Sequence, residues 1–258
     1  MSEALDRSRL RAYTNARVAL RNAGTSLATS ELLDLALCLA EARDAVHAEL
    51  STITLLPRLS ALGLEVFWVE SAAGSRGEYL RRPDLGRRLS TASRRALGTG
   101  RPGTPAFGAT EPGPEQPSQL AVVIADGLSA IAVERHAAPV LAALLPVSGD
   151  WSVGPAVVAE RARVAIGDEI GEVLGAAATL LLIGERPGLS APDSLGAYIT
   201  WAPRMGRSDA ERNCVSNIRP EGLGYDLAAR KIAGYLHQAR RLQLTGVALK
   251  EESGQLEN

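Results

Sequence analysis

The chain has 258 residues, 46% of them hydrophobic and 22% charged, with a formal net charge of -1. That length supports one large domain or two modest ones, and the near-neutral charge excludes a global field attracting nucleic acid or an anionic membrane. Two cysteines in distant segments exclude a disulfide framework, no apolar run approaches the ~20 residues of a membrane span, and residues 1–7 lack a signal peptide's apolar core, so a cytoplasmic protein is expected.

Arg9 to Arg21 mixes basic and apolar residues, as a short helix or an arm would. Thr29 or Ser30 can cap a helix whose residues Leu32, Leu33, Leu35, Ala36, Leu37, Leu39 and Ala40 give it a broad apolar face. Pro57 interrupts a second, weakly helical patch that ends near Gly63. Leu64 to Glu70 alternates and reads as a strand, Ala73 to Gly77 as a turn, and Glu78 to Leu80 as a return strand. Arg81 to Leu89 packs four arginines around Pro83 and Asp84, which suit a helix start running to about Leu97. Gly98 to Gln119 holds five prolines and five glycines without periodicity, so a linker is expected there.

After the linker the pattern changes to strands alternating with helices. Leu120 to Ala125 is an apolar run ending at Asp126-Gly127, followed by a helix from Ser129 to Leu145 that Pro139 can kink. Gly154 to Glu160 holds a strand, Val164 closes a second short one, and Ile166 to Leu174 is helical. Thr179 to Ile183 is a strand buried on both faces that stops at Gly184-Glu185-Arg186-Pro187-Gly188. Tyr198 to Trp201 is a further strand, a polar loop carries Cys214, and a final helix spans Tyr225 to Leu244. This grammar predicts an α/β fold with a mostly parallel sheet and helices on both faces.

Candidate chemistry gathers at strand ends, where open α/β sheets bind ligands. Asp126-Gly127-Leu128-Ser129 lies between a strand and a helix, where Asp126 can accept from a ligand or simply cap the helix. Glu185 and Arg186 occupy another strand end, as ligand contacts or as a pair with each other. Cys214 has no histidine near it in sequence, since His47, His136 and His237 fall in predicted helices, so an inert thiol is expected. His136 and His237 read as surface or helix-face residues, and nothing shows metal-ligand spacing. The arginines of Arg81 to Arg88 can bind phosphate or a partner chain. From these residues alone, a standalone nucleotide- or phosphate-binding α/β protein stays open.

Several motifs in order carry a resemblance: Arg81-Arg82-Pro83-Asp84-Leu85-Gly86-Arg87-Arg88-Leu89, Ala125-Asp126-Gly127-Leu128-Ser129, Arg163-Val164-Ala165-Ile166-Gly167-Asp168-Glu169, Ile183-Gly184-Glu185-Arg186-Pro187-Gly188, Ala202-Pro203-Arg204-Met205 and Asn213-Cys214-Val215-Ser216-Asn217. Together they resemble the small (light) chain of ethanolamine ammonia-lyase, from about Arg17 to Leu244. The resemblance implies an adenosylcobalamin-dependent enzyme that converts ethanolamine to acetaldehyde and ammonia by a radical mechanism. It implies a barrel-forming large subunit, present in equal number, that hosts the reaction. It divides the chain into a helical N-terminal region with a short hairpin (1–97), the linker (98–119) and a Rossmann-like, cobalamin-contacting domain (120–258). By motif position it makes Val164, Glu185 and Cys214 the cofactor contacts, with no catalytic residue and no metal ligand from this chain. No Asp-x-His-x-x-Gly occurs, so no histidine here is expected to displace the cofactor's own base. Some family members carry a longer amino-terminal extension linked to recruitment into protein-shelled microcompartments; this chain begins close to the core, so a freely cytosolic complex is expected.

Overall fold

A computed structural model describes residues 10, 13, 14, 16–99 and 119–249. The expected linker at 98–119 lies almost wholly outside the described residues, and residues 16–21 of the Arg9–Arg21 arm are irregular. A small antiparallel ladder, β1 (Asn22–Ala23) and β2 (Ser26–Leu27), precedes the long helix α1 (Thr29–His47). Six strands then form one mixed sheet: β3 (Val66–Glu70), β4 (Gln119–Ala125), β5 (Ser152–Glu160), β6 (Ala178–Gly184), β7 (Leu195–Trp201) and β8 (Asn213–Ile218), in the order β3-β5-β4-β6-β7-β8.

The sheet is mixed, with the greater part of it parallel as expected. β3, β5, β4 and β6 pair in parallel, while β6–β7 and β7–β8 are antiparallel. The reason is the short return after β6: the ten residues 185–194 carry no crossover helix, so the chain must come back antiparallel. β3 precedes the expected linker in sequence, yet it pairs with β5 over five registered residues, from Val66↔Ala156 to Glu70↔Glu160.

Six helices follow α1: α2 (Thr52–Ser60), α3 (Arg76–Arg81), α4 (Thr91–Thr99), α5 (Ala130–Leu144), α6 (Ile166–Leu174) and α7 (Tyr225–Leu242). Alternating residues of each central strand feed two separate cores. Leu120, Val122 and Ile124 of β4 pack with Leu141 of α5, Leu236 of α7 and Leu59 of α2. Ala121, Val123 and Ala125 face the other way, onto Ile166 and Ile170 of α6 and Leu97 of α4. Both faces are therefore covered, which is why β4 and β6 read as continuous apolar runs. α5 is also long and apolar enough, with the residues after it (Ala130–Val147), to cross a membrane, but half of that stretch is buried inside the protein. Burial under the sheet accounts for its apolarity.

Local readings change in four places. Glu78 to Leu80 is not a return strand but part of α3, because Ser75 Oγ accepts from Glu78 N–H at 3.2 Å and Glu78 Oε2 accepts from Gly74 N–H at 2.8 Å, a cap at the helix start. After Pro83 only a single 3-10 turn forms (Leu85–Arg87), and the helix resumes as α4 beyond Leu89, whose N–H is held by the Glu169 carboxylate at 2.8 Å. Pro57 sits inside α2 without interrupting it, and Cys214 lies on a strand, β8, rather than in a loop.

Helix α1 is the anomaly. Of its 19 residues only Glu31 and Ala45 are buried. Leu32, Leu33, Leu37 and Leu39, with Ala36 and Ala40 between them, form an apolar face left open to solvent. The sequence predicts that face; the described residues of this chain do not cover it.

Candidate functional site

The site is built where two neighbouring strands send their chains to opposite faces. β4 leads into α5, packed on one face, and β5 leads into α6, packed on the other. Such divergence opens a crevice at the carboxyl ends of the strands. Here it holds an open cleft of about 400 Å³ whose walls include Tyr79, Gly127, Arg163, Val164, Glu185, Arg186 and Tyr198.

Its floor depends on two glycines. Leu128 N–H donates to Gly184 O at 2.9 Å, joining the β4 and β6 exits main chain to main chain. Gly127 has φ +56°, and a Cβ there would stand 2.2 Å from Gly184 O; a Cβ on Gly184 would stand 2.0 Å from Ser129 O. Neither contact leaves room for a methyl group.

Asp126 does not face the cleft as a free acceptor, nor does it cap α5. It is buried, and Oδ1 accepts from Ala162 N–H at 2.9 Å while Oδ2 accepts from Arg161 N–H at 2.8 Å and from Arg76 Nη1 at 3.2 Å. The cap belongs to Ser129, whose Oγ accepts from Ala132 N–H at 3.3 Å. Burial raises the Asp126 pKa, against the pull of the Ala162 N–H and Arg76. By taking two N–H groups that a ladder would use, Asp126 turns the chain at 161–162, with Arg161 at φ 54°. This is why Val164 sits in a loop and does not close a strand as expected. Asp126 is thus the brace that puts Val164 on the cleft wall.

Glu185 projects from the β6 exit. Its Oε2 accepts from Ser194 Oγ and from Asn217 N–H, the latter at 3.1 Å, and its own N–H donates to Ser194 O at 2.9 Å. Gly196 leaves space for it, since a Cβ there would be 3.0 Å from Oε1. The loop carrying Ser194 is itself anchored: Ser129 Oγ donates to Pro192 O at 2.8 Å, and Asp193 meets Arg135 at 2.8 Å and Arg219 at 3.3 Å. His136, expected on a surface or helix face, is buried; it lies 3.3 Å from Asp193 and 2.8 Å from Tyr225 Oη. Desolvation lowers its pKa despite the Asp193 carboxylate. Arg186, by contrast, is exposed at the rim.

Cys214 stands beside the cleft, paired in register with Tyr198 across β7 and β8. It also lines a neighbouring hollow with Asn217, Lys231 and Tyr235. The residue is exposed, yet desolvation of its sulfur raises the thiol's pKa, with Glu185 adding to the rise and Tyr198 opposing it. A thiol held protonated is a poor nucleophile, in line with the inert reading. Asp168 of α6 pairs with Arg212, next to β8, tying the Val164 and Cys214 elements together; burial still pushes its pKa up to about 6 against the pull of Arg212.

The structure therefore brings Val164 and Glu185 onto one cleft and leaves Cys214 at its flank. The Arg81–Arg88 cluster is elsewhere: Arg81, Arg82, Arg87 and Arg88 are exposed, and Arg82 pairs with Asp84 at 2.8 Å. Sequence reasoning missed Tyr79, Arg163 and Tyr198. Tyr198 could have been found from strand alternation, because it faces away from Ile199 and toward the Val164 side. Among the described residues no group of three His, Cys, Asp or Glu side chains could hold a metal ion.

Comparison with known proteins is consistent over nearly the whole chain. Residues 5–250 match the family model "Ethanolamine ammonia-lyase light chain (EutC)". The chain is 53% identical over 247 residues to the ethanolamine ammonia-lyase small subunit of Bradyrhizobium diazoefficiens, covering 95% of this chain and 90% of that one. It is 49% identical over 254 residues to that of Azotobacter vinelandii (95% and 87%) and 47% identical over 246 residues to that of Pseudomonas syringae pv. tomato (95% and 82%).

Proposed function

The chain belongs to the ethanolamine ammonia-lyase light-chain family, and from that premise we propose that it holds adenosylcobalamin against a larger, barrel-forming subunit. It is a subunit of an ammonia-lyase; the reaction is the conversion of ethanolamine to acetaldehyde and ammonia. The observation that carries the reading is the placement of Val164 and Glu185 on one strand-end cleft with Cys214 beside it.

The residues suit such a ligand. Cobalamin is broad and rimmed with amides, so it needs an open surface offering an oriented carboxylate and backbone groups rather than a deep pocket. Glu185 supplies a carboxylate whose Oε2 is fixed by Ser194 and Asn217, and Val164 supplies an apolar wall. Cys214 contributes a neutral thiol at the flank. The chemistry supplied by the bound cofactor is radical initiation at its cobalt–carbon bond, and the protein's share is binding, orientation and exclusion of water. In this reading the reacting groups belong to the large subunit.

The open face of α1 supports the two-chain arrangement. A row of leucines this exposed marks an interaction surface, and the carboxyl end of its helix is tied to the cleft: Arg76 Nε donates to Val46 O of α1 at 2.8 Å while its Nη1 donates to Gly127 O at 2.9 Å. The alternative of a standalone nucleotide-binding protein is weakened, because Asp126 is internally satisfied and the Arg81–Arg88 cluster does not line the cleft with it.

Mixing the chain with its large subunit, adenosylcobalamin and ethanolamine should release acetaldehyde, and neither chain should do so alone. Turnover by this chain alone would overturn the division of labour.

A further inference from the structure

Most arginines near the cleft have an acid. Arg76 meets Asp126, Arg161 meets Glu70 and Glu160, and Arg219 meets Asp193 and Glu221, all within 3.3 Å. Arg163 differs. It lines the cleft, is half-buried, and no carboxylate among the described residues lies within ion-pair distance of it. Its Nε is buried with no hydrogen-bond partner.

The side chain is nevertheless held in place. Arg163 N–H donates to Gly86 O at 2.7 Å, which fixes its backbone. Its guanidinium lies 4.4 Å from the centre of the Tyr79 ring. Tyr79 is fully buried, and its hydroxyl donates to Ala162 O at 3.1 Å, so the platform under the guanidinium is rigid. Stacking on an aromatic face orients a guanidinium without neutralising it. A half-buried cation with a buried, unsatisfied Nε and no counter-charge is costly, and a ligand anion lowers that cost. Its planar fork suits a phosphate oxygen pair.

We propose that Arg163 is the phosphate-binding residue of this cleft, and that the phosphate it takes is the phosphodiester of cobalamin's nucleotide loop. This rests on the cofactor reading above. The corrin rim offers neutral amides, whereas the nucleotide loop carries the molecule's phosphate, so a positioned cation selects that end and sets which edge of the cofactor meets this chain. Glu185, near the β6 exit, is then left to the amide rim.

The test uses the assembled two-chain complex and measures equilibrium binding, by absorbance titration, of adenosylcobalamin and of adenosylcobinamide, which lacks the nucleotide loop. Arg163→Gln should weaken cobalamin binding by roughly tenfold to a hundredfold, the range for a lost charge-assisted hydrogen bond, and leave cobinamide binding unchanged. Arg163→Lys, which keeps the charge without the fork, should recover part of the loss. Equal weakening of both corrinoids, or of neither, overturns the assignment. Failure of the unaltered complex to bind either corrinoid sinks the cofactor reading and this inference with it. Inorganic phosphate forms a second arm: if phosphate stabilises the complex in an Arg163-dependent way while cobalamin affinity does not respond to Arg163→Gln, the anion is free phosphate and the cofactor assignment is wrong.

Discussion

Replacing Gly184 with alanine tests whether the cleft floor stands on direct main-chain contact. The added Cβ would lie 2.0 Å from Ser129 O and 2.7 Å from Asp126 O. Both are backbone atoms at the entry to α5, and neither can swing aside as a flexible side chain would. The β6 exit must move instead. Overpacking of this kind costs about 1–3 kcal/mol, and weakening the Leu128 N–H bond to Gly184 O adds about 1 kcal/mol. The total of about 2–4 kcal/mol corresponds to a melting temperature lower by ~4–16 °C for a chain of this size. Because Glu185 is the next residue, the same shift should also disturb its bonds to Ser194 and Asn217. Gly234→Ala is the control: it lies inside α7, and no neighbouring atom comes within 4 Å of the Cβ it would gain. That substitution should be neutral or stabilise by up to ~1 kcal/mol. Thermal unfolding followed by near-ultraviolet circular dichroism measures both. If Gly184→Ala melts with the unaltered chain, or the two alanines behave alike, the close approach of the β4 and β6 exits is not as described.

The remaining predictions concern the partner face and pH. Leu33→Asp with Leu37→Asp on α1 should leave the melting temperature of the isolated chain nearly unchanged, because both leucines are exposed. Pull-down with the large subunit should nonetheless fall at least ~10-fold, as loss of a central apolar anchor does; unaltered association would place the interface elsewhere. His136 has its folded pKa held below the ordinary 6.5 by burial. Unfolding therefore takes up a proton as pH falls through that range, so this group's stabilisation is complete above about 6.5 and lost below it. Urea titrations at pH 7.5 and 5.5 should show His136→Gln losing less stability on acidification than the unaltered chain, and parallel losses would refute the role given to His136.

Legibility in the residues differs by element. β4 and β6 are plain because they are apolar on both sides, and α6 and α7 because each shows one apolar stripe. β8 reads as a loop since its outward residues, Cys214 and Ser216, are polar and its buried residues include the polar Asn213 beside Val215 and Ile218; edge strands are this polar because one margin meets water. Helix α3 carries a readable signal, Ser75-Arg76-Gly77-Glu78, whose serine and glutamate make the cap observed. The antiparallel end of the sheet follows from the length of a return loop rather than from any strand's own composition. For the site, Glu185 is marked by the abrupt stop of an apolar run. Arg163 is not, because its meaning lies in the lack of an acid around it and in Tyr79 beneath it, 84 positions earlier in the chain. Nor can the pattern of α1 say whose surface covers it: periodicity tells which side of a helix is apolar, not which polypeptide meets that side.

The most direct measurement is a structure of the two-chain complex with adenosylcobalamin bound, solved by cryo-electron microscopy. The corrinoid should lie between the subunits, with a rim amide within hydrogen-bond distance of Glu185, Val164 against its face and the nucleotide phosphate at Arg163. A corrinoid enclosed by the large subunit alone, with the β4–β5–β6 cleft empty, would contradict the proposed role of this chain.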